Sequence, residues 1–208
     1  MKKNKIFVAC DAASTSKIKK IINNTQNSKI KIGYKFGLEF LNSKKGRSFL
    51  SKLKNKTIFA DLKLHDIPNT CVSTVRAMKD LKINYLTIHI SSGLQALKAT
   101  KKVSGKIKLT GVTILTSLDN KSLKEIGFNR GIKNLVLHQA KLANKAKLDA
   151  IVCSAKEVKI VKKVFKKEII TPGIRFESNV DDQKRTLTPK QAYKNGSDWL
   201  VIGRPITK

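Results

Sequence analysis

Short apolar runs alternate along this 208-residue chain with segments whose apolar positions recur every three to four residues. That is the pattern of strands alternating with amphipathic helices, and hence of successive β/α units around a parallel sheet. The runs that read as strands are 5–10, 30–33, 57–61, 85–89, 108–115, 150–153, 168–171 and 199–203, and helical periodicity falls on 16–27, 68–81, 93–102, 132–147 and 155–165. Eight strands at this spacing predict a closed (β/α)8 TIM barrel, with an open doubly wound sheet as the alternative topology. The length suits one substantial core, so residues 1–208 read as a single domain. The least regular stretch is 176–188.

A barrel of this kind builds its site at the carboxyl ends of the strands and in the loops that follow. Polar residues fall there repeatedly. Asp11 follows the first run, Lys31 lies in the short second one, Asp61 and Lys63 end the third, and His89 ends the fourth. Thr116, Arg175 and Arg204 follow the fifth, seventh and eighth.

Two segments carry most of the chemical information. In residues 58–70, Asp61 and Asp66 bracket Lys63 in a chain with only 14 acids. A strand period of two points Asp61 and Lys63 the same way, into the barrel mouth, where an ion pair needs compensating partners. The structural alternative makes that pair a stabilising contact and Asp66 the N-cap of the helix entered at Pro68. The second segment is Thr171-Pro172-Gly173-Ile174-Arg175 together with Gly203-Arg204-Pro205. Loops after strands seven and eight often hold phosphate; glycine lets backbone N–H groups approach an anion, and arginine binds it bidentately. The alternative here is a plain turn with a surface arginine.

Charge complicates the picture, because a net +30 invites a nucleic-acid reading. Of the 44 basic residues 38 are Lys, spread from Lys2 to Lys208 without the interleaved aromatics that stack bases. They read as a solvated, Lys-biased surface with no specific nucleic-acid partner and only salt-sensitive adhesion to polyanions. Residues 6–10 are the only apolar stretch behind the basic start, too short for a signal peptide, and no run approaches the roughly 18 residues of a membrane span. Cys10, Cys71 and Cys153 stand far apart with no zinc spacing. A reducing, cytoplasmic setting and no structural metal follow. His65, His138, Cys153 and Trp199 read as structural or surface residues, with His89 lining the site without doing chemistry.

The run Asp61-x-Lys63-x-x-Asp66-Ile67-x-x-Thr70 occurs together with Ile30-Lys31-Ile32-Gly33, Thr171-Pro172-Gly173-Ile174-Arg175, Asp182-Gln183-x-Arg185-x-x-Thr188-Pro189 and 201–207. This set resembles orotidine 5'-phosphate decarboxylases of the bacterial type, over about residues 6–207. The resemblance implies a homodimer that converts orotidine 5'-monophosphate to UMP without a cofactor. It implies a charged array of Lys31, Asp61, Lys63 and Asp66, with Asp66 and Thr70 crossing to the neighbouring subunit's site. It also implies that Asp11 and Lys31 hold the ribose, that Thr116 reads the pyrimidine, and that Arg175, Gln183, Gly203 and Arg204 hold the phosphate under a lid at 176–185. Loss of CO2 from C6 leaves a carbanion the ring cannot delocalise, so fixed charge has to stabilise it, with Lys63 beside C6 and then donating the proton. The family pattern continues past residue 208 into a final helix over the first and last strands, so an apolar strip is expected near that seam. Competing readings are a metal-dependent sugar-phosphate enzyme of the same superfamily, a basic binding protein and an inactive copy.

Overall fold

In the computed structural model, residues 4–26, 29–176 and 186–207 are described. Eight parallel strands close into a barrel in chain order: β1 (Lys5–Ala9), β2 (Lys31–Phe36), β3 (Thr57–Leu64), β4 (Tyr85–His89), β5 (Lys108–Val112), β6 (Ala150–Val152), β7 (Glu168–Thr171) and β8 (Trp199–Ile202). Closure comes from β1 pairing with β8, Phe7 opposite Val201. The helices are α1 (Thr15–Thr25), α2 (Leu38–Leu41), α3 (Gly46–Lys52), α4 (Pro68–Ala77), α5 (Gly93–Val103), α6 (Asn120–Glu125), α7 (Ile132–Lys145), α8 (Val158–Val164), α9 (Pro189–Lys194) and α10 (Arg204–Thr207).

Local chemistry sets several boundaries. Ser14 caps α1 by accepting from the Lys17 N–H, Asp119 caps α6 by accepting from the Ser122 N–H, and Thr188 with Gln191 forms a capping box before Pro189. The short helices α2, α3, α6 and α9 have too few turns to show a period in sequence. At the amino ends of alternate strands one device recurs: a side chain placed just before the next strand accepts a strand N–H. Asn84 accepts from Ile58 (2.7 Å), Asp149 from Leu109 (2.9 Å) and Asp198 from Ile169 (2.9 Å), and the two carboxylates also hold Lys101 (2.6 Å) and Lys162 (2.7 Å).

The barrel interior is filled from below by aromatic rings. Phe7 stacks on Trp199 with centroids 4.1 Å apart and meets Phe59 and Tyr85 at 5.0 and 5.2 Å. Trp199 is therefore packing, as its sequence position suggests. The inward face of β2 reads Lys31, Gly33, Lys35 from bottom to top, in register with Lys5, Phe7 and Ala9 of β1. Gly33 is where Phe7 sits, since an added Cβ would lie 2.5 Å from that ring. The glycine that reads as a strand end in sequence is thus a packing gap in mid-strand, and β2 runs on to Phe36.

The lysines are less evenly spread than the sequence suggests. Connections from helices to strands carry runs such as Lys52, Lys54, Lys56 and Lys162, Lys163, Lys166, Lys167, which places them at the barrel's amino end. Helix carboxyl termini converge there and their dipoles favour cations. At the β1–β8 seam, Ile6, Leu200, Ile202 and Ile206 pack in one cluster, and Tyr193 donates to the Lys5 carbonyl (2.9 Å). None of the large apolar side chains exposed among the described residues belongs to β1 or β8, so the expected apolar strip is not found there.

Gly33→Ala is expected to destabilise the protein by about 1–3 kcal/mol, the usual cost of overpacking a filled core. Urea unfolding measures it. A change smaller than about 0.5 kcal/mol, the size of an ordinary surface substitution, would mean that Phe7 is not held as described.

Candidate active site

Above the aromatic layer, at the carboxyl ends of the strands, opens a cavity of about 320 Å³. Asp11, Asp61, Lys63, Thr116, Arg175, Gly203 and Arg204 all line it. Four cationic side chains, Lys35, Lys63, Arg175 and Arg204, face two carboxylates, Asp11 and Asp61, leaving a surplus of two positive charges. An anionic ligand suits that surplus.

Lys31, expected in the charged array and on the ribose, is not there. It begins β2 at the opposite end of the barrel, exposed, with its Nζ 5.9 Å from the Trp199 ring centroid. Lys35 occupies the mouth instead, two inward positions further along the strand. Its Nζ lies 3.1 Å from Asp11 Oδ1 and 3.4 Å from Asp61 Oδ2. The error comes from ending the strand at Gly33; continuing the period of two past it would have found Lys35.

Asp61 is the centre of the arrangement. It ends the buried part of β3, is 9% exposed, and receives Lys63 Nζ at 2.9 Å, Lys35 Nζ at 3.4 Å and the Thr87 hydroxyl at 3.1 Å. Burial pushes its carboxyl up, but Lys35 and Lys63 outweigh that and hold it below the usual carboxylate range. Burial likewise pulls the Lys35 ammonium down, and Asp61 and Asp11 more than compensate, so it sits above the ordinary lysine value. Both groups are thereby kept ionised at neutral pH.

Lys63 has a left-handed backbone, φ 50°, and its N–H donates to Thr87 Oγ1 at 2.7 Å. His65 lies past the strand end, exposed, with its Nε2 3.3 Å from Ser91 Oγ and its ring 5.2 Å from that of His89. Neither histidine lines the cavity. Burial, followed by His65 and Lys63, pulls the His89 imidazole below its ordinary value, which favours the neutral ring. Cys153 does line the cavity, buried at the end of β6, and Cys10 is buried beside the site with its thiol pushed up to about 12, by burial first and then by Asp11.

On the rim, Gly173 has φ 73°, which favours glycine, and the next turn is pinned by the Arg175 N–H donating to Leu187 O at 3.2 Å. Arg175 Nη1 also donates to Ile174 O at 2.9 Å. Arg204 is exposed at the start of α10. Thr116 is buried after β5. Gln183, and the 177–185 part of the lid expected at 176–185, lie outside the described residues.

Asp66 and Thr70 are exposed and do not line the cavity. Asp66 is not the cap of α4: that position is Ile67, without a side-chain cap, and Asp66 Oδ1 accepts from the Ile67 N–H at 2.7 Å. Thr87 is the residue that sequence reading missed. It lies in the middle of an apolar strand and looks like a core threonine.

The chain matches the model of the orotidine 5'-phosphate decarboxylase / HUMPS family over residues 4–208. It is 47% identical over 212 residues to the orotidine 5'-phosphate decarboxylase of Wolbachia pipientis subsp. Culex pipiens, covering 99% of this chain and 92% of that one. To the same enzyme of Wolbachia sp. subsp. Brugia malayi it is 45% identical, with the same coverage. Among solved structures, the orotidine 5'-phosphate decarboxylase of Lactobacillus acidophilus superposes with a TM-score of 0.83 at 33% identity, covering 99% of this chain and 92% of that one.

Because the Asp61 carboxyl titrates below its unfolded value, its contribution to stability is complete above the ordinary carboxylate range and is lost as pH falls through the folded value. Asp61→Asn takes the carboxylate away from Lys63 and leaves Lys35 with Asp11 alone, and is expected to cost on the order of 3 kcal/mol at pH 7. Urea midpoints of the two proteins should converge as pH is lowered through the carboxylate range. A gap independent of pH would remove Asp61 from the ionised state described.

Proposed function

The chain belongs to the orotidine 5'-phosphate decarboxylase / HUMPS family, and from that premise we propose that it removes CO2 from orotidine 5'-monophosphate to give UMP, the last step of de novo pyrimidine biosynthesis. The observation that carries this reading is the buried Asp61 held between Lys35 and Lys63 in a cavity whose rim also bears Arg175 and Arg204. It is a fixed cationic field at one end of the cavity and an anion-binding rim at another.

The bond from C6 to the carboxylate breaks heterolytically, leaving its electron pair on C6. The Lys63 ammonium stabilises that charge electrostatically and then donates its proton to C6; solvent restores the ammonium. Asp61 and Lys35 keep Lys63 placed and the array ionised. Asp11 and Lys35, the latter in the role expected of Lys31, take the ribose hydroxyls, and Thr116 takes the pyrimidine edge. Arg175, Gly203 and Arg204, with Gln183, take the phosphate, whose binding energy is remote from the reacting carbon and aligns it. No electron-sink cofactor enters this chemistry.

The protein acts as a cytoplasmic homodimer of single-domain barrels. No helix among the described residues is long and apolar enough to cross a membrane. Asp66 and Thr70, exposed on either side of Ile67, itself 66% exposed, serve the partner's cavity. An apolar side chain standing out beside two polar ones is a surface suited to contact with a second copy.

Wild-type protein is expected to deplete orotidine 5'-monophosphate, followed by absorbance, equally with and without EDTA, whereas the metal-dependent superfamily reading requires loss with EDTA. Lys63→Ala should lower turnover by at least about two decades, as loss of a general acid does, while nucleotide binding stays measurable. Turnover above a tenth of wild type would remove Lys63 from the proton transfer.

Sharing of sites has its own consequence. Mixed Lys63→Ala and Asp66→Ala chains, each inactive alone, should regain activity, because a heterodimer contains one site built from intact residues. Random pairing sets the ceiling near about a quarter of wild-type activity per site. No recovery, where subunit exchange is demonstrated separately, would mean that Asp66 serves its own chain.

A further inference from the structure

β3 and β4 fall out of step at one place. Ala60 pairs with Leu86 and Leu64 with Ile88, so Asp61, Leu62 and Lys63 together stand opposite the single residue Thr87. The surplus residues are accommodated as a bulge, with Lys63 at φ 50° in a region that side chains with a β-carbon rarely adopt. In this conformation the Lys63 N–H meets a side chain in place of a ladder carbonyl: it donates to Thr87 Oγ1 at 2.7 Å. The same hydroxyl gives its proton to Asp61 Oδ1 at 3.1 Å. One O–H group with two lone pairs can do both at once. Thr87 is fully buried and does not line the cavity, so it acts through its neighbours.

We propose that Thr87 is a positioning residue for the decarboxylation: its hydroxyl holds the bulge that aims Lys63 and orients the Asp61 carboxylate between Lys35 and Lys63. This rests on the function proposed above. Without the hydroxyl, the Lys63 N–H and one carboxylate oxygen lose their partner in a buried setting, and the strand can relax toward a regular ladder. Loss of the left-handed turn at Lys63 would change the direction in which its side chain leaves the strand, and with it the aim of the ammonium into the mouth. The charged and titratable groups around Asp61 are Lys35 from β2 and Lys63 from its own strand, with Asp11 after β1 and His89 of β4 further out. Thr87 is the neutral hydrogen-bond donor in that set.

Valine matches threonine in shape and lacks the oxygen, whereas serine and alanine differ from each other essentially by that oxygen alone. Thr87→Val and Thr87→Ala are expected to lower kcat by about 10- to 100-fold, the scale of a misplaced catalytic group, with KM within about threefold of wild type because the phosphate contacts are untouched. Thr87→Ser is expected to stay within about threefold of wild-type kcat, since it retains the hydrogen-bonding group. The acid limb of the kcat–pH profile should move to higher pH in the alanine and valine variants, because the ionised carboxylate has lost a donor. If the valine variant does not fold, the serine–alanine pair gives the same comparison. Equal kcat in those two variants, or an alanine variant as fast as wild type, overturns the proposal. Absence of wild-type turnover overturns the decarboxylase reading instead. Carboxyl-carbon NMR titration of Asp61 in the folded variants then reads Thr87 without activity: a higher Asp61 pKa in alanine than in serine supports the role, and identical values refute it.

Discussion

A carboxylate taken out of water has to be compensated, and at Asp61 the compensation organises everything around it. Two ammonium groups at 2.9 and 3.4 Å and one hydroxyl surround a side chain that solvent scarcely reaches. The attraction outweighs the cost of burial at Asp61 and at Lys35, so both of these stay ionised at neutral pH. The same attraction fixes Lys63 against the entropy of a long side chain, which a solitary surface lysine would not overcome. Remove the carboxylate and Lys63 loses its ion-pair partner while Lys35 keeps only Asp11. A reaction that develops negative charge can use such a field because it is assembled before the substrate arrives.

The barrel is divided by height. Its lower interior is filled by Phe7, Phe59, Tyr85 and Trp199, packed ring against ring. Its upper interior is left open because the next inward positions are Ala9, Lys35 and Asp61, polar or small. Charge follows the same division. Helix dipoles favour cations at the amino end, where lysine runs gather, while among the described residues the cavity itself is lined by Lys35, Lys63, Arg175 and Arg204 with Asp11 and Asp61. The high net charge is in this sense largely separate from the chemistry.

Pattern and composition by themselves determined the architecture, since eight apolar runs alternating with amphipathic segments leave few topologies besides a closed barrel. They also brought Asp61, Lys63 and the glycine–arginine rim to the mouth, because positions at and after strand ends are local properties of a sequence, although the direction of Lys63 is set by a bulge that breaks the strand alternation. Lys31 was misplaced for a reason just as physical. Gly33 is a strand breaker by propensity, and only the Phe7 ring that fills its missing side chain makes it a mid-strand residue, so that Lys35, not Lys31, reaches the mouth. Asp66 as a cap failed likewise: capping depends on where the chain turns, and it turns at Ile67. Thr87 could not be found at all from sequence, because its role exists only where β3 slips against β4 and leaves an N–H without a ladder partner. Local order was written in the periodicity of the chain; which residues meet across strands was decided by tertiary packing, because register and bulges depend on side chains far apart in sequence filling the same space.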